Sequence, residues 1–270
     1  MRRGAHVVLA LLLAPPARGA DRMPALPEEL AITESIVGQD EDELETSLRV
    51  RHLRFPHERS TTIRAELEYG VTDRLQARVE VPYSVRDPAG ARAVHGFEDV
   101  QLGFRYAVLD FRTRPLALDV GLTVGLPTGS RRKELGTGDV SLEPNFTLGQ
   151  WLGPMNGQLS FSWRRSVIGG RAVAEDEFDY GGALLYPWRH WFLIFEGAGE
   201  TKESKTAYYA VPELIWKPGR WKPGRWKPGR HIELLLAVPF GLTDAAADYG
   251  VIAGVVIEIE RLTGRADDTT

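Results

Sequence analysis

TIRAELEYGVTDRLQARVEVPY, residues Thr62 to Tyr83, decides the fold. In its first half Ile63, Ala65, Leu67 and Tyr69 fall on one side of an extended chain, and Arg64, Glu66 and Glu68 on the other. After Val71-Thr72-Asp73-Arg74 the pattern resumes. Leu75, Ala77, Val79, Val81 and Tyr83 now oppose Gln76, Arg78 and Glu80. A period of two is the signature of β-strands, in which successive side chains point to opposite faces. Two such runs joined by a tight polar turn read as an antiparallel hairpin.

The same alternation recurs down the chain. Val100, Leu102, Phe104 and Tyr106 oppose Gln101 and Arg105, and Leu118, Val120 and Leu122 flank Asp119. Leu142, Phe146 and Leu148 oppose Glu143 and Asn145, and Leu159, Phe161 and Trp163 oppose Ser160, Ser162 and Arg164. Segments of this kind start near residues 43, 61, 74, 97, 115, 138, 156, 177, 190, 206, 231 and 248. Each is about 9–13 residues long, the length of a tilted strand that crosses a bilayer. No amphipathic helix competes for any of them.

The two faces differ in chemistry. The apolar face carries no charge and is capped near strand ends by Tyr83, Tyr106, Trp163, Tyr186, Trp191, Tyr208 and Trp216. Aromatic girdles at both edges of an apolar band mark an outer-membrane barrel. The opposite face carries Arg64, Glu66, Glu68, Arg78, Glu80, Arg105, Asp119, Glu143, Arg164, Asp179, Glu196, Glu213, Glu233 and Glu258. Burying that set dry is prohibitive, whereas a wet lumen tolerates it. A water-soluble sandwich with the charged face outward shares the alternation. The even strand count, the strand length and the aromatic positions favour the membrane. The expectation is an all-β chain: a closed antiparallel transmembrane β-barrel of about 12 strands, since a bilayer accepts no open sheet edge.

The ends fit export. Residues 1–20 read as a signal peptide: Arg2 and Arg3, then an apolar run from Ala5 to Ala14, then Ala17-Arg18-Gly19-Ala20. Its removal takes three arginines and no acid, moving the formal charge from −4 to −7. That balance gives no nucleic-acid signature. With no cysteine, an exported chain must be held by its sheet or core alone. The expected division is 1–20 signal peptide, 21–42 periplasmic N-terminal segment, 43–260 outer-membrane barrel and 261–270 polar C-terminal tail. The acidic N-terminal segment has a second place open to it, folded into the lumen as a plug. Connections alternate between longer and shorter, so with both termini periplasmic the longer set faces outward.

AELEYGVTDRLQARVEVPYS, GFEDVQLGFRYAV, LTVGLPTGSRRKELGTGDVSLEPNFTLGQWLG and LAVPFGLTDAAADYGVIAGVVIEIE together resemble the MetA-pathway of phenol degradation family of outer-membrane proteins. The resemblance runs from about Ile32 to Glu260. Its most specific piece is Leu126-Pro127-Thr128-Gly129 followed by Leu135-Gly136-Thr137-Gly138. It implies a transporter-like barrel associated with aromatic-compound breakdown, and brings no catalytic residues. Outer-membrane barrels usually close on a terminal aromatic residue, whereas this chain continues RLTGRADDTT.

The remaining constellations are weaker. There is no Gly-x-Ser-x-Gly elbow, and His52, His57, His95, His190 and His231 fall in strands, loops or turns without a nucleophile partner. Glu66 and Glu68 are neighbours on one strand face and read as lumen polarity. No metal-ligand spacing or cofactor motif occurs, so no enzyme, metal or cofactor is expected. Arg131, Arg132 and Lys133 sit in a Gly-rich exposed loop. Trp-Lys-Pro-Gly-Arg, repeated from Trp216, Trp221 and Trp226, suits a type II turn and reads as a tandem duplication within one connection. The expected function is a channel or transporter-like barrel whose partners are outer-membrane lipid and a small solute, for which the resemblance implies an aromatic or hydrophobic compound. The alternative is a structural or interaction barrel with an occluded, salt-bridged lumen.

Overall fold

A computed structural model describes residues 25–111, 115–168, 176–218 and 230–259. The expected signal peptide, the polar tail and residues 219–229 of the repeat lie outside them. The strands are β1 (Leu44–Arg54), β2 (Glu58–Thr72), β3 (Leu75–Pro88), β4 (Val94–Phe97), β5 (Val100–Leu109), β6 (Leu116–Leu126) and β7 (Val140–Leu152). They continue as β8 (Met155–Ile168), β9 (Asp176–Trp188), β10 (Trp191–Lys202), β11 (Lys205–Trp216), β12 (Arg230–Ala237), β13 (Phe240–Gly241) and β14 (Tyr249–Ile259).

Two of these are continuations. β4 and β5 both pair with β3, at Tyr83↔Phe97 and Glu80↔Gln101, so they form one strand interrupted at Glu98-Asp99. β13 extends β12 beyond Val238-Pro239, where the proline has no N–H to give the ladder. Twelve strands therefore form the wall, each antiparallel to its neighbours. β1 pairs with β14 from Leu44↔Ile259 to Arg54↔Tyr249, which closes the sheet and leaves no edge. The expected strand starts fall within three residues of those observed.

Alternation sends the apolar set outward. Leu48, Leu67, Val79, Phe104, Leu122, Phe146, Leu159, Leu193, Phe195, Leu236 and Val251 are exposed on the outer surface. Aromatics collect toward both ends of that band. Trp191 stacks on Trp216 at 5.8 Å between ring centroids, near exposed Tyr186 and Trp188, at the end where β1 begins. Tyr83 against Phe97, Trp163 against Phe178, and Tyr180 against Tyr208 sit toward the other end.

One expectation needs correcting. The apolar face does not point only outward, because β9 to β14 also carry an inward apolar set. Leu185, Phe192, Ile194, Val211, Ile215, Leu235 and Ile252 are buried in one cluster with Leu26, Leu30 and Ile36 of the N-terminal segment. The segment of residues 21–42 had two places open to it, the periplasm and the lumen, and over its described part it lies inside the barrel. Its apolar side chains pack on the inward faces of β9 to β14, and burying them there removes them from water. Glycines make room for it. A Cβ on Gly70 would sit 1.8 Å from the Asp40 carbonyl oxygen, and one on Gly181 would sit 2.5 Å from the Thr33 methyl.

Candidate functional site

The N-terminal segment has no regular secondary structure from Ala25 to Glu43. Its backbone groups therefore need partners from elsewhere, since orphaned buried N–H and C=O groups are costly. The wall supplies them through side chains. Glu196 of β10 accepts from the Ile32 N–H at 3.2 Å, the Thr33 N–H at 2.7 Å and the Thr33 hydroxyl at 2.6 Å. Glu233 of β12 accepts from the Glu28 N–H at 3.2 Å. Gln158 and Gln76 accept from the Ile36 and Gln39 N–H groups, each at 3.0 Å. In the other sense, Arg105 donates to the carbonyls of Ser35 at 2.7 Å and Val37. Lys217, from the first copy of the repeat, donates to the Leu26 carbonyl at 2.9 Å.

The segment's own acids find cations on the wall. Glu29 pairs with Arg49, Glu34 with Arg78 at 3.2 Å, and Glu28 with Lys217 at 3.5 Å. Lys217 also pairs with Glu233, so one cation serves two carboxylates. Burial, with Glu233 alongside, pushes the Glu28 carboxyl up to about 8 against the pull of Lys217. Arg78 holds the Glu34 carboxyl below its ordinary range.

A cavity of about 490 Å³ lies beyond the segment, toward the end where β1 stops. Ala31 to Glu34 form its floor, and Phe55, Glu58, Glu98 and Pro239 stand toward the rim. Its walls have opposite sign. Arg49 and Arg51 of β1, Arg64 of β2, and Arg78 and Arg86 of β3 line one side. Glu143 of β7, Glu177 and Asp179 of β9, and Glu200 of β10 line the other. β2 and β9 are six places apart in the ring of twelve, which puts them diametrically opposite. Ion pairs absorb part of this charge. Arg164 of β8 lies 2.7 Å from Glu143 and 3.5 Å from Glu177, which also has Lys202 at 3.5 Å. Arg64 lies 3.7 Å from Glu80, and Arg86 lies 3.8 Å from Glu98.

The fourteen residues named from the sequence all occupy inward positions on their strands, yet they divide into two groups. Arg64, Arg78, Glu80, Glu143, Arg164 and Asp179 line the cavity. Glu66, Glu68, Arg105, Asp119, Glu196, Glu213, Glu233 and Glu258 do not; they lie at the level of the N-terminal segment or below it. Arg105, beside Asp119 at 3.7 Å, is a donor to the segment rather than an open pore wall. Arg164 belongs to the acidic wall, where it pairs with Glu143 and Glu177.

Arg49, Arg51, Glu177 and Glu200 were not singled out from the sequence. The alternation in LETSLRVRHLR, with Glu45, Ser47, Arg49 and Arg51 on one parity, carries the signal for the first two. Among the described residues, one carboxylate trio, Glu29, Glu66 and Glu68, brings oxygens within 4.8 Å of one another. Arg49 pairs with Glu29, and the Gln76 amide donates to Glu68, so protein groups already serve that cluster. The described histidine side chains stand away from the cavity. His52 meets Thr61 at 2.8 Å, and His95 meets Tyr83 at 3.0 Å, both in exposed positions.

No family model and no curated protein matches the chain, so membership of the family it resembles is not shown. Solved structures do match in fold. An outer-membrane channel from Pseudomonas putida F1 superposes with a TM-score of 0.56 at 12% identity, over 82% of this chain and 96% of that one. The KdgM porin superposes with a TM-score of 0.50 at 9% identity, over 79% of this chain and 98% of that one. At such identities the likeness is one of architecture: this chain shares the closed antiparallel barrel fold of those two proteins.

Proposed function

We propose that this chain is an outer-membrane barrel that passes small solutes, with the N-terminal segment as the element that sets how far the lumen is open. Export by residues 1–20, periplasmic termini and an outward-facing set of longer connections belong to this reading. So does the absence of catalysis. The observation that carries it is the way the segment is held. It joins no ladder and meets the wall chiefly through side chains such as Glu196, Glu233, Gln158 and Arg105. A closed barrel can release contacts of that kind without breaking its own sheet, so lumen and wall are separable in energy.

The solute class implied by the sequence resemblance is aromatic or hydrophobic. Phe55 and Tyr209 are aromatic groups beside the charged lining that such a solute would meet. The test is conductance of the mature chain in planar bilayers, beside a variant lacking residues 21–40. Small conductance in the full chain that rises several-fold on deletion supports the channel reading. A variant that assembles with heat-modifiable migration and still passes neither ions nor solutes rejects it.

The second reading is an occluded structural or interaction barrel. It is favoured by the packing of Leu26, Leu30 and Ile36 into a continuous buried cluster with the wall. The same deletion experiment separates the two.

A further inference from the structure

We propose that the cavity above the N-terminal segment binds small zwitterions, with the solute carboxylate toward Arg51 and its ammonium toward Asp179 and Glu200. This rests on the channel reading and names a zwitterionic solute class for it in place of the aromatic or hydrophobic one that the sequence resemblance implies.

Three observations combine. The first is placement: Arg51 stands on β1, and Asp179 and Glu200 on β9 and β10, across a shared cavity of about 490 Å³. That volume is within the range of small-molecule sites. The second is pairing. Most other charges of the lining are matched by protein, as in Arg164 with Glu143, Arg78 with Glu34 and Arg86 with Glu98. Among the described residues, Arg51, Asp179 and Glu200 have no oppositely charged group within 4.0 Å. The third is the floor. Ala31 to Glu34 close the cavity from below, so a solute entering at the rim is retained between the two walls.

The chemistry then discriminates. An apolar solute would strip water from Arg51, Asp179 and Glu200 and give nothing in return, which is unfavourable for any charge left unpaired. An anion meets Arg51 but leaves the acids bare, and a cation does the reverse. A solute with both charges satisfies both walls at once, and its dipole lies along the field between them. Charge-assisted hydrogen bonds at both ends are the stronger kind, and Arg51 can present its planar fork to a carboxylate.

The experiment is calorimetric titration of the purified full mature chain with four solutes of one size: 4-aminobutyrate, butyrate, butylammonium and butyramide. We expect 4-aminobutyrate to bind about tenfold or more tightly than each of the others, since a charge-assisted bond contributes about that factor. Arg51→Gln and the double variant Asp179→Asn with Glu200→Gln should each lower its affinity by about fivefold or more on the same basis. Arg51→Lys, which keeps the charge, should retain most of it, and the exposed-loop variant Arg132→Gln should change nothing. Heat-modifiable migration checks that each variant is folded. Equal affinity for all four solutes, butylammonium binding as tightly as 4-aminobutyrate, or an unchanged affinity in folded Arg51→Gln would overturn the proposal. Selective binding without conductance rejects the channel reading and keeps this site. Conductance without selective binding does the opposite.

Discussion

Thr33 grips Glu196 twice, through its backbone N–H at 2.7 Å and its hydroxyl at 2.6 Å. Glu196 is wholly buried, and its neighbour Ile32 donates to the same carboxylate. A strand residue that looks like pore lining in the sequence is therefore the anchor of a segment about 160 residues away in the chain.

Replacing that carboxylate should release the segment while sparing the barrel. Glu196→Ala removes the acceptor for three donors, and each buried donor left unsatisfied costs about 1–3 kcal/mol. The strand ladder of β10 with β9 and β11 is unaffected, because it uses backbone groups only. We expect unchanged heat-modifiable migration, a several-fold rise in single-channel conductance and new protease cleavage between residues 25 and 40. A protected segment in the folded variant would show that Glu196 is not the anchor.

Gly70 offers a steric route to the same end. Any side chain there would meet the Asp40 carbonyl at 1.8 Å from its Cβ, so the segment must shift where it enters β1. The Asp42 N–H also donates to the Gly70 carbonyl at 2.9 Å, a bond that the shift would break. Gly70→Val should expose residues 39–43 to hydrogen exchange at least as strongly as Glu196→Ala exposes residues 31–34. Protection equal to the parent chain would contradict the close approach.

Lys217 separates two roles within the repeat. Deleting residues 221–230 leaves ELIWKPGRHIEL, which retains Lys217 and a complete turn. That deletion should change neither assembly nor conductance, because added loop length costs little. Lys217→Ala should raise conductance, because it removes the donor to the Leu26 carbonyl and the cation shared by Glu28 and Glu233. An opposite ranking of the two variants would return function to the duplicated copies.

Glu28 should make docking of the segment pH-dependent. Its carboxyl is raised to about 8 when docked, above its value in the released segment. The docked form therefore holds the proton more tightly. That contribution is fully present below the ordinary carboxylate value and is lost as pH rises through about 8. Arg78 depresses the Glu34 carboxyl, which contributes in the opposite direction and weakens docking only as pH falls below the ordinary carboxylate range. Protease cleavage of residues 25–30 should accelerate as pH rises from about 5 to about 8 and level off above that, and Glu28→Gln should flatten that rise. A flat profile in the parent chain would refute the assignment.

The strands were legible in the sequence because alternation is local. Ile63, Leu67 and Val79 against Arg64, Glu66 and Glu80 require no knowledge of distant residues, and the faces they define are the ones observed. Closure was legible too, since twelve such segments leave no place for an edge in a bilayer. Whether the N-terminal segment stayed outside or filled the lumen was not. Glu196, Glu213, Glu233 and Glu258 alternate like any water-facing set, and their spacing is the same whether they meet water or a peptide.

By itself, then, the sequence determined the barrel: strand number, strand starts, and the inward place of the charged side chains. Only the tertiary structure decided the state of the interior. It placed Thr33 on Glu196 and Lys217 between Glu28 and Glu233, and it set Arg51 across a cavity from Asp179 and Glu200. The physical reason is that a period of two fixes orientation along one strand. Which inward groups face one another depends on how twelve strands close and on a segment without periodicity, held by contacts between residues far apart in the chain.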